Sequence, residues 1–83
     1  MAKEEIDVVA IKNSVPDMRG QHLWFFLQIF GVPYSHGVCY GKYAGYETYA
    51  WKGCGGEVEY YFNSENICVT DDFYEFKNMV EKK

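Results

Sequence analysis

Three cysteines and two histidines are the side chains best equipped for metal or nucleophilic chemistry. Cys39, Cys54, Cys68 and His36 together have the ligand types of a Cys₃His zinc site. Structural zinc sites draw their ligands in closely spaced pairs, and here only His36-Gly37-Val38-Cys39 is close, with Cys54 and Cys68 each standing alone. Cys39 and Cys68 therefore read as small apolar residues in strands, where unpaired cysteines commonly go. Cys54, in Gly53-Cys54-Gly55-Gly56, is the thiol most exposed by position. A glycine-rich turn can activate a thiol through converging N–H groups, but a nucleophile also needs a base. His22 and His36 are the only histidines, and nothing in the spacing brings either to Cys54. The same glycines match no phosphate-binding pattern. Asp71 and Asp72 are adjacent at a helix start, where capping explains them better than acid–base work. No catalytic set assembles, so the chain is expected not to be an enzyme, and to carry no cofactor or metal.

Charge is more informative than any motif. The 83 residues carry a net charge of −4, the wrong sign for direct nucleic-acid binding or an anionic membrane. From Gly53 to Phe76 there are six acids (Glu57, Glu59, Glu65, Asp71, Asp72, Glu75) and no Lys or Arg. A half-surface of this kind, studded with Tyr61 and Tyr74, can meet a basic surface on another protein through complementarity and steering. It can also be no more than the solvated side of a small aromatic-rich domain. An aromatic content of 19% is high for so short a chain, and large rings serve both small cores and interfaces.

These side chains must be positioned by elements read from periodicity and punctuation. Met1–Glu5 is charged and expected to fray. Ile6–Lys12 is rich in β-branched residues and predicts a first strand, with a short helix as the competitor. Ser14-Val15-Pro16-Asp17 resembles a capping box opening a helix over Val15–Phe30, with Pro16 in the first turn and Gly20 as a weak point. Gly31 ends it, with Val32 folding back on Leu27 and Pro33 blocking continuation. Its apolar residues, His22 among them, sweep roughly 200°, about twice the stripe an ordinary surface helix needs. Trp24 falls at the edge of its polar wedge. His22 is expected as a largely buried imidazole bonded to a backbone carbonyl.

Beyond Gly31 the glycines punctuate short antiparallel strands. Val38–Tyr43 is an irregular strand. Tyr46–Trp51 places Glu47, Tyr49 and Trp51 on one face, and Lys52–Gly56 turns the chain into Glu57–Phe62. There Val58, Tyr60 and Phe62 face the helix, while Glu57, Glu59 and Tyr61 face out. Asn63–Asn66 is a turn and Ile67–Val69 a short strand. Thr70 caps a last helix with Val69 and Tyr74 as its staple, a stripe of Phe73, Phe76, Met79 and Val80, and Lys82 and Lys83 at its negative end.

The expectation is one α+β domain over 1–83 in the order β-α-β-β-β-α, a mostly antiparallel sheet with two helices on one face. Its α–β–β–β–α portion has the order of double-stranded-RNA-binding domains, but the chain lacks their basic helix start and Lys cluster, so no family is assigned. The expected function is a small non-catalytic protein–protein interaction domain, a regulator or inhibitor that occludes a partner with a basic or nucleic-acid-binding surface. Candidate contacts are Trp24, Tyr43, Tyr46, Tyr49, Trp51, Tyr61 and Tyr74, with Glu57, Glu59, Asp71 and Asp72 as the acids. The alternatives are a homodimeric structural protein seamed along the first long helix, or a small-molecule or zinc-binding domain. An odd cysteine count, with neither a signal-peptide layout nor a membrane-length apolar run, points to the cytoplasm.

Overall fold

The structure, a computed structural model, describes residues 7–15 and 17–81. The elements run α1 (Val8–Ser14), α2 (Leu23–Phe30), β1 (Ser35–Val38), a 3₁₀ turn (Gly41–Tyr43), β2 (Glu47–Gly53), β3 (Gly56–Phe62), β4 (Cys68–Thr70) and α3 (Phe73–Glu81). The four strands form one antiparallel sheet in sequence order. The α+β class and antiparallel sheet are as expected; the order α-α-β-β-β-β-α has four strands, as the expected order does, but opens with a helix in place of a strand and places all four strands after α2.

The first element is a helix rather than a strand. The Asp7 side chain accepts from the Ala10 N–H at 3.0 Å and caps it. Val8, Ile11 and Val15 recur at three and four residues and pack on the core, so tertiary burial overrides the β propensity of this stretch. Ser14 is consequently the last residue of α1, its Oγ donating to the Ile11 carbonyl at 2.9 Å, and it opens no capping box. Met1–Glu5, Ile6 of the expected first strand, Pro16, Lys82 and Lys83 lie outside the described residues.

The long helix expected over Val15–Phe30 is helical only in its second half. Gly20 turns the chain at φ +89, a conformation that ends helical continuation. The segment that follows pairs instead along the outer side of β4. Gly20 N–H donates to the Cys68 carbonyl, Cys68 N–H to the Gln21 carbonyl and Leu23 N–H to the Asn66 carbonyl, each at 2.8 Å, and His22 bridges Ile67. A three-residue edge strand is thereby covered. His22 then caps α2: its Nδ1 accepts from the Trp24 N–H at 3.0 Å, in place of the carbonyl contact expected. Gly31, at φ +86, closes the helix with its N–H on the Leu27 carbonyl. Val32 does not fold back on Leu27 and stands exposed.

One face of the sheet holds the main core. The β2–β3 register sets Trp51 opposite Val58, Tyr49 opposite Tyr60 and Glu47 opposite Phe62. Phe26 of α2 sits on this face, with ring centroids 4.7 Å from Tyr60, 4.9 Å from Phe62 and 5.8 Å from Trp51. The Trp51 indole N–H donates to the Gly31 carbonyl at 2.7 Å, which ties the end of α2 to the sheet. Leu23, Phe25, Leu27 and Ile29 flank Phe26 and Phe30, partly buried against the same cluster. Much of the broad apolar arc is thus sheltered.

The two helices expected to share one face are α2 and the last helix; instead α1 packs with α2 on the main core, while α3 crosses to the reverse face. Tyr61, which alternation points away from Tyr60, stacks on Phe76 at 4.4 Å, and Tyr46 and Tyr43 meet the same ring at 5.0 and 5.4 Å. Residues 38–43 are correspondingly not one strand: β1 stops at Val38 and Gly41–Tyr43 is the 3₁₀ turn that delivers Tyr43. Among the described residues, no helix is long and apolar enough to cross a membrane.

Candidate interaction surface

The start of α3 gathers three of the expected contact residues, Asp71, Asp72 and Tyr74. Thr70, fully buried, accepts from the Asp72 N–H at 3.1 Å and donates from its hydroxyl to Glu75. The helix cap itself is Asp72, whose Oδ1 accepts from Tyr74 N–H at 2.8 Å, so the capping role falls two residues later than expected. Asp71 pairs with Lys12 of α1 at 2.7 Å. Glu75 pairs with Arg19 at 3.1 Å, and the same guanidinium holds Asp17 and keeps its carboxyl below the usual carboxylate range, chiefly through their side-chain hydrogen bond. Between these acids Phe73 and Tyr74 stand 50% and 74% exposed, their rings 5.8 Å apart. The Val69–Tyr74 staple is therefore not made.

The reverse face continues this surface. Glu57 and Glu59 are exposed on β3, and Glu57 accepts the Tyr34 hydroxyl at 2.6 Å. That bond holds the Tyr34 hydroxyl above its ordinary pKa. Burial raises the Tyr61 hydroxyl above its ordinary pKa, with Glu59 and Asp72 adding to the effect. Tyr43, Tyr46 and Tyr61 come together as expected contacts, but as a half-buried cluster beneath α3. They support the surface rather than forming its exposed part.

Trp24, Tyr49 and Trp51 lie elsewhere. Trp51 is 1% exposed and belongs to the main core, because its register partner Val58 faces α2; it has no ring edge to offer a partner. Tyr49 is half-buried on the same face, stacked on His36 at 4.2 Å, and His36 Nε2 lies 2.6 Å from Glu47 Oε1. Trp24, 68% exposed, projects from α2 beside a cleft of about 220 Å³ that it lines with His22, Leu23, Leu27 and Asn66.

A second cleft, of about 360 Å³, runs along the start of α3 and is lined by Asp17, Met18, Arg19, Tyr60, Cys68, Asp71, Asp72 and Glu75. Sequence reading missed Asp17, Arg19, Phe73 and Tyr60 as site residues. For Phe73 the signal was present, an aromatic pair directly following two acids; for Tyr60, alternation assigned it to the core and said nothing of its hydroxyl. Cys39 is half-buried, Cys54 exposed and Cys68 buried. Burial pushes the Cys68 thiol up to about 12. Among the described residues, no three His, Cys, Asp or Glu side chains converge to hold a metal ion.

No protein-family model matches the chain, and comparison with curated proteins and with solved structures returned no match.

Proposed function

We propose that this chain is a small non-catalytic docking protein that covers a basic surface on another protein, and thereby regulates or inhibits it. The observation that carries this reading is the exposed Phe73–Tyr74 pair set among Asp71, Asp72 and Glu75 at the start of α3. Exposed aromatic rings supply contact area, and the acids around them steer a basic partner and reject an acidic one. Glu57 and Glu59 extend the same sign of charge along β3. The acids at the helix start are pinned by Lys12, Arg19 and the cap, so little side-chain freedom is lost when a partner arrives. Cysteine usage favours the cytoplasm as the working compartment.

The test uses Glu59→Lys with Tyr74→Ala, two exposed positions outside the cores. Affinity purification from the native source with the unaltered chain is expected to retain a partner with a basic surface, and the double variant, with unchanged melting temperature, to lose it. Equal recovery of the same proteins by both would remove this surface from the reading.

A second reading is favoured by Trp24 and its cleft: α2 as the seam of a homodimer. Sedimentation at rising concentration separates the two, since a dimer through α2 is abolished by Trp24→Ala and indifferent to Glu59→Lys.

A further inference from the structure

The cleft along the start of α3 holds a feature that docking does not require. Tyr60 is 2% exposed, and its hydroxyl has no hydrogen-bond partner among the described residues. A buried hydroxyl left unpaired is costly, so such groups are ordinarily matched by protein, water or ligand. Tyr60 is itself a wall of the cleft, beside Asp71 and Cys68.

The walls specify what could satisfy it. Four carboxylates line the cleft (Asp17, Asp71, Asp72, Glu75), against Arg19 in the lining and Lys12 reaching Asp71. The cations leave an excess of negative charge, which concentrates a positive ligand and repels an anion. No three potential metal ligands converge among the described residues, so the charge is not arranged for a metal ion. Met18, Cys68 and the Tyr60 ring supply apolar wall beside the acids. Acid and apolar wall together suit a charged head on a hydrocarbon stem.

We propose that this cleft binds a primary alkylammonium, with the ammonium donating to the Tyr60 hydroxyl oxygen and to the neighbouring carboxylates and the alkyl stem lying on Met18 and the tyrosine ring. The cleft shares Asp71, Asp72 and Glu75 with the docking surface, but the proposal rests on the Tyr60 hydroxyl and the cleft and not on a protein partner. The same chemistry is offered by a free diamine and by a lysine side chain, and the two sources are separable.

The experiment titrates the full chain, followed by amide NMR, with 1,4-diaminobutane and in parallel with Nα-acetyl-lysine amide, each to about 50 mM, a range that registers millimolar affinity. Saturable shifts at Met18, Cys68 and Asp72 that weaken with added salt are expected. Shifts with both probes assign the site to any alkylammonium; shifts with the lysine derivative alone assign it to a lysine side chain. Tyr60→Phe is expected to weaken binding roughly tenfold, the loss of one hydrogen bond to a charged group, while raising the melting temperature because the unpaired hydroxyl is gone. Asp71→Asn, at a surface position, is expected to weaken binding with the fold retained. Linear, non-saturating shifts spread over all the acids would overturn the proposal. So would affinities in Tyr60→Phe and Asp71→Asn equal to that of the unaltered chain.

Discussion

Replacing Phe76 by Ala asks whether α3, which carries most of the proposed surface, is held by one ring. Phe76 is buried and touches Tyr43, Tyr46 and Tyr61, while Val80 is the other buried residue of the helix. Truncating a buried Phe costs about 3–5 kcal/mol. What remains to hold α3 is Val80, the Thr70–Glu75 hydrogen bond and the Arg19–Glu75 and Lys42–Glu81 pairs, and exposed pairs contribute about 0–1 kcal/mol each. A helix of nine residues is too short to persist undocked in water. The main core around Phe26 lies across the sheet and loses nothing. The variant is therefore expected to release α3 while keeping the sheet. Amide hydrogen exchange should quicken across Phe73–Glu81 and stay slow in β2 and β3. Slow exchange retained throughout α3 would show that the Phe76 cluster is not its anchor. Unfolding of the whole chain would show that the two faces of the sheet form one cooperative core.

Phe26→Ala, by contrast, removes the ring shared by Tyr60, Phe62 and Trp51, and should cost about 3–5 kcal/mol globally, measured as a fall in urea midpoint. For thiol labelling, exposed Cys54 should react first, half-buried Cys39 later and buried Cys68 only on unfolding. Stability should fall at both pH extremes. The folded-state pKa values of Asp17 and Glu81 are depressed by Arg19 and Lys42, so their contribution is present above the ordinary carboxylate range and lost as pH drops through the lowered values. The Cys68 thiol is raised to about 12 by burial, so above its unfolded pKa the unfolded chain sheds a proton that the folded one keeps, and stability declines as pH climbs toward 12. Thermal melts across pH check both limbs. Gly55→Ala should lower stability by about 1 kcal/mol or more, since Gly55 sits at φ +93 with a built Cβ 2.6 Å from Asp7 Oδ1, the α1 cap.

The sheet was legible where local chemistry and alternation agreed. Gly53 and Gly56 pair across the β2–β3 hairpin, and Val58, Tyr60 and Phe62 face α2 as their spacing indicates. The first helix was misread because Val8, Val9 and Ile11 favour a strand in isolation, and only burial against the core selects the helical spacing. Residues 20–22 depart from the expected helix because covering the edge of β4 is a long-range demand that no window of sequence contains. For the site, the acidic half was visible as a charge run. Which tyrosines remain exposed was not, because that depends on α3 crossing to the reverse face and taking Tyr43, Tyr46 and Tyr61 beneath Phe76. Trp51 carried an interface residue type at a core position, and only the pairing with Val58 decides between them.

Hydrogen exchange of the chain bound to its captured partner, compared with the chain alone, addresses the docking surface most directly. Amides of residues 71–76 at the start of α3 should slow on binding, with those of α2 unchanged. Slowing confined to residues 22–28 around Trp24, with none at the start of α3, would place the contact on the opposite side of the sheet and contradict the role given to the acidic face.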